Sequence, residues 1–382
     1  MQNNQLNFWR GDLAHRESNI ELFRIITMLL IVAHHYVTSS GLTLGDGPIF
    51  SDPLSWRSLF LLILGAWGKN GINCFVLISG YFMCTSRLTA RKYAKLLIEV
   101  LFYRIVIAVI FTISGNVEFS AKEFLLSVLP VREVGLSFTD AFLCFYLCIP
   151  FCNVLVKGLN ERQHLRLLLL SCFIYVFFGT VKVLPVTMNY VSWFIVLYFI
   201  SSYVRLYPKA IFESKKIWGW ACVGCIGISS LSVVVCTWLG ARTGRNSPYA
   251  FIADSNTFLA VATGFSAFML FRNIKIPYSK VINTVSSTTF GVLLIHANTY
   301  VRKWLWRDVF RCVDTYDNLL MPVYALVGPV LVFAICAGID LCRQMLVEPL
   351  FFKFGDKIWP KVVNKWKTVE ERICAKCGIS IE

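Results

Sequence analysis

Charge is scarce in this sequence. Only 15% of its 382 residues are Asp, Glu, Lys or Arg, where a soluble domain carries about a quarter. Too few charges are present to coat the surface of a water-soluble globule of this length. Acidic residues are the scarcer kind, 22 against 37 basic ones, which leaves a formal net charge of +15. Linkers and low-complexity segments are missing, so no added soluble domain is expected. No convincing internal repeat is present, which argues against a transporter built from duplicated halves. The first apolar run lacks a small-residue cleavage pattern and is expected to stay as a helix rather than act as a signal peptide.

What the sequence has is apolar length. Hydrophobic residues make up 57% and the mean hydropathy is +0.63. They fall into runs of about twenty residues, the length that crosses a bilayer as a helix. Ten such runs are expected, roughly at 20–40, 59–83, 94–114, 138–157, 165–185, 190–207, 217–239, 251–271, 281–302 and 322–346. The sequence therefore predicts an all-α polytopic membrane protein. Segment 1–19 would precede the membrane domain at 20–350, and a basic tail would follow at 351–382. That tail, with Trp359 and Trp366, would lie along an anionic leaflet or stay disordered.

Basic residues cluster on alternate connections, as at Arg87, Arg91, Lys92 and Lys95, at Arg205, Lys209, Lys215 and Lys216, and at Arg272, Lys275 and Lys280. Excess Lys and Arg mark cytoplasmic loops, which puts both termini in the cytoplasm. The same distribution explains the net charge without nucleic acid, and no nucleic-acid partner is expected. Of the 14 cysteines, most lie inside apolar runs, where Cys behaves as a small hydrophobe. The pairs Cys222/Cys225 and Cys374/Cys377 fall short of the four ligands a zinc site needs, so no metal is expected.

An ionisable residue in a bilayer needs a partner or a watery cavity and is a functional candidate by default. The first helix holds the densest set. Arg24 and His35 are eleven residues apart, which places them about 20° apart around the helix and about 16 Å apart along it. His34 points about 100° away from His35. A cation near the cytoplasmic surface and a base in the outer half suit a ligand lying lengthwise across the bilayer, as coenzyme A would. The alternative is that Arg24 snorkels and pairs with Glu21. His296, on the ninth run, should lie about as deep as His35. Lys69 and Asn73 share a face of the second run at i,i+4. Glu99, Asp340 and Arg343 near the inner surface are expected to pair structurally. Trp304, Trp306, Arg307 and Arg311 would meet sugar rings or form an interfacial belt.

Four segments, in order, resemble the acyltransferase 3 family, the ten-helix acyltransferases of bacterial surface polysaccharides. NIELFRIITMLLIVAHHY carries the Arg-x10-His pattern at Arg24 and His35, followed by Tyr36. GINCFVLISGYF, SWFIVLYFISSYVRLYP and FGVLLIHAN supply the others. Leu293 stands where the family usually has Tyr, and Arg87, Arg91 and Lys92 only approximate its close pair of arginines. The resemblance spans roughly residues 18–355.

It implies O-acyl transfer, usually of acetyl, from acetyl-CoA to a hydroxyl of a cell-surface or lipid-linked glycan at the bacterial inner membrane. A neutral His35 would take the hydroxyl proton as general base or be acylated itself. His296 joins it as a catalytic candidate. Arg24, Arg87, Arg91 and Lys92 would hold the donor's phosphates. Lys69, Asn73 and Trp193 would face the acceptor or the oxyanion. The rival expectation is a flippase or transporter of lipid-linked sugars, which would use the same buried charges without acyl-CoA.

Overall fold

The computed structural model describes residues 16–353, except Arg87, Phe119, Leu136, Lys182, Leu184, Pro185 and Thr187, together with Gly355 and the short pieces 364–365, 368–369 and 371–372. The donor candidate Arg87, Trp359, Trp366 and the Cys374/Cys377 pair lie outside the described residues. Helix accounts for 76% of the structure, and there is no strand among the described residues. Among the described residues, seven helical segments are long and apolar enough to cross a membrane. The helices that position the site are α1 (Ser18–Thr38), α2 (Trp56–Gly65), α3 (Gly68–Met83), α4 (Ala90–Ile113), α5 (Phe138–Gly158), α6 (Glu161–Cys172), α7 (Tyr190–Leu206), α8 (Lys215–Thr243), α9 (Phe258–Asn273), α10 (Lys280–Ser287), α11 (Thr289–His296), α12 (Thr299–Trp304) and α13 (Met321–Leu346).

Four of the ten expected runs depart from one long helix. The sixth and eighth are the short apolar helices α7 and α9. The ninth is broken into α10, α11 and α12, the last starting at Asn298, whose side chain accepts from the backbone N–H of Tyr300. The second run spans the membrane with a break at Ala66–Trp67 between α2 and α3. The fifth run begins four residues early, at Glu161, because Asn160 and Gln163 form a reciprocal capping box there.

α1 is the hub: it packs against α2, α3, α9, α10, α11 and α13. Glycine makes the closest approaches possible. A Cβ on Gly68 would sit 2.2 Å from Cγ of His34, and one on Gly71 would sit 2.5 Å from Cγ1 of Ile31. One hydrophobic core joins α1, α2, α4, α11 and α13, and a second joins α3, α5, α7 and α9. The outer faces are also apolar. Trp220, Val223 and Leu231 on α8 and Phe151 and Val154 on α5 are exposed. In water such a surface would drive aggregation; in lipid it is the proper boundary.

Buried charges pair across the bundle. Arg343 contacts Asp340 at 2.7 Å and Glu99 at 3.0 Å, and Tyr103 donates to Asp340 at 2.7 Å. Asp140, at the start of α5, binds Arg104 and accepts from the backbone N–H groups of Arg132 and Glu133 at 2.9 and 2.8 Å. Arg104 also donates to the carbonyls of Leu129 and Pro130. This pair therefore pins the connection between α4 and α5, which forms part of a cavity wall.

Candidate active site

That cavity, of about 370 Å³, lies where α1 and α11 end and α3, α5 and α7 begin. Its walls carry His34, His35, Lys69, Glu133, Ser137, Thr139, Tyr190, Thr299 and Arg302, over a floor that includes Ile31, Ile72 and Phe75. A neighbouring cavity of about 290 Å³ shares Glu133, Ser137, Thr139, Leu293, Ala297 and Thr299 with it. Both sit at the end of the bundle toward which α1 runs.

Helix breaks shape the site. The last carbonyls of a helix lack intrahelical partners and must be satisfied when buried. Where α2 stops, the Gly65 carbonyl accepts from Nδ1 of His34 at 2.5 Å. A carbonyl only accepts, so that nitrogen carries the proton. His34 thus closes the broken end of α2. His35, one residue on, has no hydrogen bond among the described residues; its Nδ1 is buried without a partner.

His296 ends α11, next to the break before α12. Its Nδ1 donates to the carbonyl of Val292 at 2.6 Å, which leaves Nε2 as an acceptor, buried and without a partner. The His35 and His296 rings are 5.1 Å apart between centroids. Two residues 261 positions apart thus face each other with unused nitrogens. The His34 ring is 5.6 Å from that of His35 but turned to its own carbonyl.

Other candidates take different places. Lys69 lines the cavity and donates to the Tyr190 hydroxyl at 2.8 Å. Asn73 and Trp193 do not line it. Trp193 Nε1 donates to Asn73 Oδ1 at 3.0 Å, and Asn73 Nδ2 donates to the Ser255 carbonyl at 2.7 Å. Both side chains are fully buried, and they brace α3 against α7 and the loop before α9. Asn70, a neighbour on α3, has both amide atoms buried without partners.

Arg24 lies at the other end of α1, two turns before the floor residue Ile31. It does not line the cavity of His35. Its Nε is 3.6 Å from Glu21, which also accepts from Ser286 and pairs with Arg16 at 3.7 Å. Near that end is a second opening of about 530 Å³, lined by Arg16, Glu17, Ser18, Asn19, Arg272 and Lys275 among others. At the start of α4, Arg91 packs over the Phe352 ring at 4.8 Å and Lys92 is exposed.

Sequence reasoning missed Arg302 as a site residue, because at the end of the ninth run it reads as one of several interfacial charges. Its spacing from His296, six residues across a helix break, was the available signal. Tyr190 was missed because only the fold brings it to Lys69.

The fold and the site define a polytopic α-helical membrane protein with a histidine-lined cavity at one end of its bundle. The chain belongs to the acyltransferase 3 family: residues 17–341 match the family described as an acyltransferase domain. It is a membrane acyltransferase. No curated protein and no solved structure matches it.

Proposed function

We propose that this membrane acyltransferase is an O-acetyltransferase of the bacterial inner membrane. It moves acetyl from cytoplasmic acetyl-CoA to a hydroxyl of a cell-surface or lipid-linked glycan. Ten membrane crossings with both termini in the cytoplasm accompany this reading, and the alternating basic connections support it. The observation that carries the reading is the His35–His296 pair, with ring centroids 5.1 Å apart and His35 on the wall of a polar cavity.

In the proposed reaction His35 removes the hydroxyl proton as its oxygen attacks the thioester carbonyl. Collapse of the tetrahedral intermediate breaks the C–S bond, and the proton passes from His35 to the departing thiolate. His296 positions His35. When the site closes, its free Nε2 accepts from Nδ1–H of His35 and so fixes the tautomer that leaves Nε2 of His35 as the base. Direct attack is favoured over an acetyl-histidine intermediate, since one imidazole oriented by another suffices for base catalysis.

Arg24, with Arg87, Arg91 and Lys92, is assigned to the donor's phosphates. The basic opening at Arg16, Arg272 and Lys275 supports donor arrival at that end of α1. The arm of coenzyme A would then run along α1 toward His35, parting the packing around Thr27 and Met28. Asn73 and Trp193 act by bracing the cavity wall, and Lys69 faces the acceptor.

The test is transfer of labelled acetyl from acetyl-CoA to glycan in sealed vesicles. Transfer that requires this protein supports the proposal. Movement of lipid-linked sugar across the vesicle membrane, with no label transferred, would identify a flippase instead.

A further inference from the structure

The cavity of His35 contains more positive charge than its own residues balance. Lys69 and Arg302 both line it. Among the described residues neither has a carboxylate partner. Lys69 bonds a neutral phenol, and Nε of Arg302 is buried with no hydrogen bond at all. The one carboxylate in the walls is that of Glu133, an exposed residue on the connection into α5.

Two other cations of the bundle are matched by carboxylates. Arg343 has Asp340 and Glu99, and Arg104 has Asp140. Lys69 and Arg302 are half-buried, and cations partly withdrawn from water without counter-ions mark ligand sites in membrane proteins. A forked guanidinium and a point-charge ammonium on one cavity wall match a carboxylate or a phosphate.

We infer that the acceptor saccharide carries an oxyanion, a carboxylate or phosphate, which Arg302 and Lys69 hold next to His35. This rests on the transferase reading above. There the donor's phosphates lie near Arg24, about 16 Å away along α1, and the acetyl thioester arriving at His35 is uncharged. The anion is therefore the acceptor's, and the enzyme selects acidic glycans over neutral ones.

The test uses the purified full-length protein, with glucuronate, inorganic phosphate, succinate and glucose as probes at matched ionic strength. Thermal unfolding should shift upward with glucuronate or phosphate and not with glucose, in wild type and in His35→Ala alike. Arg302→Gln should lose the shift, and Lys69→Gln should weaken it. Arg302→Lys, which keeps the charge and loses the fork, should retain part and covers the case in which Arg302→Gln does not fold. In vesicles, glucuronate or phosphate should inhibit acetylation at concentrations about tenfold below glucose.

No shift in wild type, or an equal shift in Arg302→Gln, would overturn the inference. A shift with succinate alone would place the anion on the acyl donor and overturn it too. An intact oxyanion shift in a protein that transfers no acetyl would leave the anion site standing and remove the transferase reading instead.

Discussion

Replacing Gly68 with Ala tests how tightly His35, the proposed base, depends on its neighbours. The added Cβ would lie 2.2 Å from Cγ, 2.5 Å from Cδ2 and 2.7 Å from Cβ of His34. Ordinary carbon contacts begin near 3.5 Å, so the ring must retreat by about 1 Å. It cannot simply rotate away, because its Nδ1 is tied to the Gly65 carbonyl at 2.5 Å. The contact with His34 Cβ also forces the backbone of α1 to yield. His35 is the next residue, so it moves relative to His296 on α11. A displacement near 1 Å at a reacting group costs about 100-fold in turnover, while overpacking costs about 1–3 kcal/mol of stability. The expected result is a protein that folds and transfers acetyl about 100-fold more slowly in the vesicle assay. Gly219→Ala, whose nearest neighbour is Leu270 at 3.8 Å, should behave as wild type. Adding His34→Ala should recover part of the lost rate, since it removes the two shortest clashes. A fully active Gly68→Ala enzyme would refute the argument that α1 is held in place by this contact.

Asp140→Ala removes the acceptor for Arg104 and for two backbone N–H groups. It should lower stability by about 3–5 kcal/mol, read as a fall in Tm of the detergent-solubilised protein; an unchanged Tm would show that the pair does not pin the wall. Arg24→Ala should raise the KM for acetyl-CoA with a smaller change in kcat, and unchanged donor affinity would remove Arg24 from the donor site. His296→Ala should slow transfer by about 10²–10⁴-fold, the range general base catalysis supplies; His296→Gln should restore part of it if the role is to accept from His35. Gly291→Ala places a Cβ 2.2 Å from Cγ of Asp340 and should destabilise by about 1–3 kcal/mol, measured by thermal unfolding.

The membrane architecture was legible because apolar length is a one-dimensional property. Twenty apolar residues read as a crossing wherever they fall in the chain. The breaks were not legible. Ala66–Trp67 and Ala297–Asn298 carry no proline, and the glycines Gly65, Gly68 and Gly71 and the polar residues around Asn298 do not by themselves fix where a helix stops. What stops these helices is tertiary: the freed Gly65 carbonyl is satisfied by His34, from a different helix. Depth along α1 and α11 set His35 and His296 at a similar level, but their lateral adjacency depends on packing. The same is true of the Asn73–Trp193 bond, which joins residues 120 positions apart. Spacing alone put Asn73 on a face with Lys69; only the fold distinguishes a side chain enclosed between helices from one that lines a cavity. The i,i+3 pairing of Glu21 with Arg24 was an available alternative in the sequence and is the geometry observed.

The most direct test compares two adjacent imidazoles. His34 is bonded to a backbone carbonyl, whereas His35 is unbonded and turned toward His296. Labelled acetyl transfer in vesicles should be lost in His35→Ala and largely kept in His34→Ala, at equal levels of folded protein. Equal activity in the two variants would contradict the account.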